Sequence, residues 1–144
     1  MGMPKSVIKM NKKDGVTFTS NVNAVEYTLH ELSRAALRDV GKFVVREARQ
    51  KIPRKIGRGR KNIQYWVRSR QKYPDLQVGI KPAGFYTGFM EVGTRKTPKV
   101  GAIYHAAADN IAMIIKIESQ YLSALSSEAK ALSLIDESEE VGDE

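Results

Sequence analysis

Ile63-Gln-Tyr-Trp-Val-Arg-Ser-Arg-Gln-Lys-Tyr-Pro-Asp-Leu-Gln-Val-Gly-Ile80 is the stretch on which the fold turns. Ile63, Tyr65, Val67 and Ser69 alternate with Gln64, Trp66, Arg68 and Arg70. After a turn at 71–75, Leu76, Val78 and Ile80 alternate with Gln77, Gly79 and Lys81. A period of two sends successive side chains to opposite faces, so the stretch predicts a β-hairpin with one buried face. Trp66 falls on the polar face. Either it covers the stems of Arg68 and Arg70, or the three form a contact with another chain. The flanking sequence reads largely as helix, which predicts an α+β fold: a small antiparallel sheet of hairpins packed against a long helix and a C-terminal helix.

Upstream, Val25, Leu29, Leu32, Ala36, Val40 and Phe43 recur at steps of three and four. They predict an amphipathic helix over 24–52, about 43 Å long at 1.5 Å per residue. Ser20, Asn21 and Asn23 offer capping oxygens at its start, and Pro53 ends it. Gly41 costs such a helix about 1 kcal/mol relative to Ala, which a close helix crossing would explain. Segments 6–10 and 16–20 flank Asn-Lys-Lys-Asp-Gly and predict a short N-terminal hairpin. Between helix and central hairpin, 54–62 reads as a loop with two glycines and five bases. Its glycines resemble the start of a dinucleotide fingerprint, but the third position is Asn62 and a strand follows, so a phosphate cradle is rejected.

Downstream comes Phe-Tyr-Thr-Gly-Phe-Met-Glu-Val-Gly-Thr at 85–94. Tyr86, Phe89 and Met90 share one side of a short helical turn, and Gly93 ends it. Glu91, the one charge there, must point to water, cap a neighbouring loop or pair with a cation. A basic loop at 95–101 leads into a predicted single helix over 103–134. Its common face comprises Ile103, Ala107, Ile111, Ile114, Tyr121, Leu125, Ala129 and Leu132. Residues 1–135 read as one domain and 136–144 as an acidic tail, disordered by composition.

The 144 residues carry 24 Lys and Arg against 16 Asp and Glu, but unevenly. Six of the acids fall in 136–144, and ten bases with no acid fall in 49–72. Such a basic run does not pack on itself; it needs solvent, acidic partners or phosphate. With Tyr65, Trp66 and Tyr73 nearby, a nucleic-acid-binding surface is one reading. Cysteine is absent, which removes disulfides, thiolate nucleophiles and Cys-ligated zinc. No signal-peptide core is present, and the longest apolar run, 111–115, is far short of a membrane span. The two histidines, His30 and His105, have no metal-ligand spacing, and no catalytic motif appears. The expectation is a soluble, non-enzymatic protein without cofactor or metal and without membrane contact.

Taken together, the chain resembles the tail-completion (head–tail joining, or minor tail) family of long-tailed bacteriophages. The resemblance rests on a helix ending in bases and Pro53, the basic loop 54–61, a strand hairpin, and a Tyr-x-x-Phe-x-Glu-x-Gly-Thr element. In this sequence the element is Tyr86, Phe89, Glu91, Gly93 and Thr94. Coverage runs from about 32 to 131. The sequence departs from the pattern at Ile56-Gly57, where Thr-Gly is usual, and at Ala102-Ile103, where Pro-Phe is expected. The resemblance implies a six-fold homo-oligomeric ring that caps the tail tube at the virion neck. It would assemble in the host cytoplasm, meeting the head-completion or stopper protein and the tail tube or tail terminator protein. Genomic DNA would pass through its lumen without sequence readout. Arg54, Lys55, Arg58, Arg60 and Lys61 would then face the lumen or a neighbouring subunit.

Overall fold

The computed structural model describes residues 7–11, 16–20, 22–53, 57–68, 70, 72–127, 130–131 and 133–135. The expected acidic tail lies outside them, as do Arg54 and Lys55. The elements run β1 (Val7–Asn11), β2 (Val16–Ser20), α1 (Val22–Lys51), α2 (Gly57–Lys61), β3 (Ile63–Arg68) and β4 (Asp75–Ile80). After a 3-10 turn at Pro82–Gly84 come α3 (Phe85–Val92), α4 (Ala102–Ala108) and α5 (Ile111–Ser123). The fold is α+β, as the alternation and periodicity predict.

Each hairpin forms its own two-stranded antiparallel sheet. In β3–β4 the register sets Ile63 opposite Ile80, Tyr65 opposite Val78 and Val67 opposite Leu76. This gathers the apolar positions of both strands on one face, which lies on α1. Ile63 is fully buried there. A two-stranded hairpin is marginal alone, so the helix beneath this one is what stabilises it.

Helix α1 is the spine, and it serves two separate cores. Its C-terminal half contributes Val40, Val44, Val45 and Ala48, which with Ile52 meet Ile63 of β3 and Ala102 and Ala106 of α4. Its N-terminal half contributes Leu32 and Ala35, which meet Tyr121, Ala124, Ala131 and Ile135. The Tyr121 hydroxyl also donates to Asp39 Oδ2, tying α5 to the middle of α1. At the other end of the helix, Lys51 Nζ stands 3.4 Å from Asp109 Oδ2.

Three local expectations are corrected. Within 54–62 the chain is not loop throughout, because 57–61 forms the short helix α2. Arg60 Nε donates to the Arg49 carbonyl at the end of α1 over 2.6 Å. Asn62 Nδ2 donates to the Arg58 carbonyl over 2.8 Å. These bonds satisfy acceptors that helix C-termini leave open.

The helix expected over 103–134 is interrupted at Asp109–Asn110. Asn110 Nδ2 donates to the Ala106 carbonyl, and its own carbonyl accepts from Met113 and Ile114 N–H. A short polar side chain that bonds the backbone locally competes with helix propagation. The break turns Ile111 to solvent, whereas Tyr121 is buried. Finally, Gly41 is explained by the central hairpin rather than by a helix crossing. A Cβ there would stand 2.6 Å from Tyr65 Cδ2 and 3.0 Å from Leu76 Cδ1.

Candidate interaction surfaces

The 85–94 element resolves into a set of fastenings. Glu91 takes the second of its three options: Oε2 accepts from Ile103 N–H at 3.0 Å and Oε1 from Tyr104 N–H at 2.9 Å. Helix starts carry unsatisfied N–H groups and a partial positive charge. The local cap position of α4 is Gly101, which has no side chain to offer. A carboxylate from another helix fills that role. Gly93 sits at φ +83°, and a Cβ on it would meet Lys99 Cβ at 2.8 Å, so glycine is required twice over. The Thr94 hydroxyl accepts from Thr97 N–H at 3.1 Å. The Met90 carbonyl accepts from Val100 N–H at 2.7 Å. Together these bonds staple 93–101 across the ends of α3 and α4.

The outward side of α3 differs from expectation. Thr87 and Met90 are the buried positions, whereas Phe89 is 52% exposed. Phe85 (68%) and Val92 (75%) stand with it at i, i+4, i+7 spacing, forming one exposed apolar stripe. The Phe85 and Phe89 rings meet edge-to-face at 6.3 Å. The stripe was readable as a spacing, but spacing alone does not say which stripe of a short apolar helix faces inward. Tyr86 of the motif is half-buried.

A second apolar region lies between α1 and α5, where Leu29, Leu32, Ala36, Tyr121, Leu122 and Leu125 line an open groove of about 270 Å³. Leu29, Leu122 and Leu125 in it are exposed. Ile111 and Ile115 continue the exposed apolar face along α5. No expectation from sequence placed a groove here. The helix break responsible for this arrangement has only Asn110 as its signal.

The basic residues divide. Arg58 and Lys61 are exposed. Arg60 is committed to the α1 terminus, and Arg49 Nη2 donates to the Ile63 carbonyl at 2.9 Å. Arg68 pairs across the hairpin with Asp75 at 2.5 and 2.8 Å. Hydrogen bonding to Arg68 holds the Asp75 carboxyl below its ordinary range, and the same bond raises Arg68. Arg70 is exposed. Trp66 is 42% exposed, with its indole over Gly79. Among the described residues, no three His, Cys, Asp or Glu are placed to hold a metal ion, and no helix is long and apolar enough to cross a membrane.

Exposed apolar stripes on well-fastened helices define surfaces for meeting other macromolecules. Residues 17–93 match the family model described as "Bacteriophage HK97-gp10, putative tail-component". The match covers more than half of the chain, from β2 through Gly93, and the chain belongs to that HK97-gp10-like family of phage tail components, a virion-associated class. It starts earlier than the resemblance drawn from motifs and stops before Thr94 and the last helices. No curated protein and no solved structure matches the chain.

Proposed function

We propose that this tail component is a non-enzymatic structural subunit that closes into a six-copy ring capping the tail tube and joining it to the head. The observation that carries the reading is the presence of two different exposed apolar surfaces on one chain, the α3 stripe and the α1–α5 groove. A head-to-tail contact between unlike surfaces is what generates a ring when the rotation closes. The family membership adds the tail as its place of work. In this reading the head-completion or stopper protein lies on one side and the tail tube or terminator protein on the other, at the neck. Free bases, Arg58 and Lys61 among them, face the lumen and meet genomic DNA through phosphates without reading sequence. Arg60 is better regarded as a structural residue, because its guanidinium already holds the α1 end.

The test is negative-stain electron microscopy of a tagged copy purified from cells producing particles. Label at the head-proximal tip of tails, or at the neck of whole virions, is the expected result. Recovery only with nucleic acid, released by salt, would overturn the joining role in favour of a DNA-binding one.

A further inference from the structure

We infer that the α3 stripe of one copy docks in the α1–α5 groove of a second copy, and that this pair of surfaces is the repeating contact of the ring. The inference rests on the ring reading above and names its interface. Phe85, Phe89 and Val92 offer an aromatic-led ridge already ordered by the Phe85–Phe89 ring contact. A helix laid into an apolar groove through i, i+4, i+7 anchors is a recurrent recognition mode.

Gly88 adds an independent reason. It lies between Phe85 and Val92 on the same side of α3, and a Cβ on it would meet nothing within 4 Å. No contact among the described residues therefore requires a glycine there, although it costs the helix about 1 kcal/mol relative to Ala. Close approach of another chain's backbone supplies the missing reason.

Charge identifies the occupant as a second copy. The segment carrying the stripe, 76–108, holds Lys81, Arg95, Lys96 and Lys99. Its only acid, Glu91, has both oxygens engaged by α4. Among the described residues Glu118 on α5 is the one charged residue lining the groove, whereas the extension past Leu29 is lined by Glu26 and Lys72 together. Ile135, fixed in the core cluster beside the groove, is followed in sequence by six acids in nine residues. A ridge whose sequence neighbours are bases and a groove whose lining charge is Glu118 attract each other between copies, while ridge-to-ridge pairing brings like charges together.

The absence of cysteine makes the contact directly testable in the full chain. Phe89→Cys and Leu122→Cys are introduced singly and together, all three chains are checked for wild-type thermal unfolding, and each is oxidised at concentrations spanning assembly. The expected result is a 1:1 covalent dimer when the two single variants are mixed, and a ladder ending at the ring number for the double variant. Gly88→Ala is expected to raise the unfolding midpoint yet weaken assembly at least tenfold, a combination that a purely structural glycine would not give. Wild-type oligomers by light scattering without any 89–122 disulfide would overturn this pairing and leave the ring. A wild-type chain that stays monomeric throughout, with the cysteine variants unlinked, would overturn both.

Discussion

Glu91 and Gly41 carry the sharpest expectations at the scale of single residues. Glu91→Ala removes both acceptors from the start of α4, where Gly101 gives no side-chain cap of its own. Losing an N-terminal cap costs about 0.5–2 kcal/mol; urea unfolding of the variant should fall within that loss. Gly41→Ala sets two effects against each other. Helix propensity gains about 1 kcal/mol. The new methyl, however, lands on the root of the Tyr65 ring, which cannot swing aside as a flexible chain end would. Overpacking costs about 1–3 kcal/mol, so the variant should be less stable than wild type, and a midpoint above wild type would refute the close approach. Tyr65 also gives a pH signature. Desolvation by burial raises its phenol above 10.0, partly offset by Arg38 and reinforced by Asp39. The neutral form is the one the fold favours, so this stability is complete below the unfolded value and is lost as pH rises through the folded one. Tyr65→Phe should flatten the alkaline limb of a stability–pH curve above pH about 10.

Elements were legible in the sequence to the extent that periodicity controls them. Strands β3 and β4 follow the alternation of Ile63, Tyr65, Val67 with Leu76, Val78, Ile80, because only one register buries all six together. Helix α1 follows its three-four spacing and stops before Pro53. What escaped was decided by single side-chain-to-backbone contacts, which periodicity does not report. Arg60 reaching the Arg49 carbonyl turned an expected loop into α2, and Asn110 broke an expected helix. The same distinction sorts the basic residues by consequence. Arg60→Ser should lower stability measurably. Arg58→Ser with Lys61→Ser should stay within about 0.5 kcal/mol of wild type while reducing the yield of infectious particles. If the exposed pair instead destabilises the isolated chain and Arg60→Ser does not, the division is wrong. The direction of the α3 stripe was beyond sequence for a related reason. Thr87 and Met90 face inward because α3 meets β4 and α4 on that side, a fact of tertiary placement.

At the scale of the whole molecule, one helix joins two unequal cores. Among the described residues, the cluster around Ile63 has eight buried members with ten partly buried hydrophobics packed against it, whereas the cluster around Tyr121 has six with three. Stabilisation by burial scales with apolar area, at about 25 cal/mol per Å², so the second cluster is the weaker one. Separate cores of unequal strength open separately. Amide hydrogens near Tyr121 in α5 should therefore exchange with deuterium through a partial opening that leaves those near Ala48 and in β3 protected. A single common exchange rate would show the two cores to be one cooperative unit. The weaker core underlies the groove, so on the proposed ring reading its amides should slow most on assembly. If the proposed contact forms, the subunit would be a part finished by its neighbour: loose at one end as a monomer, and stiffened there from the outside by a second copy.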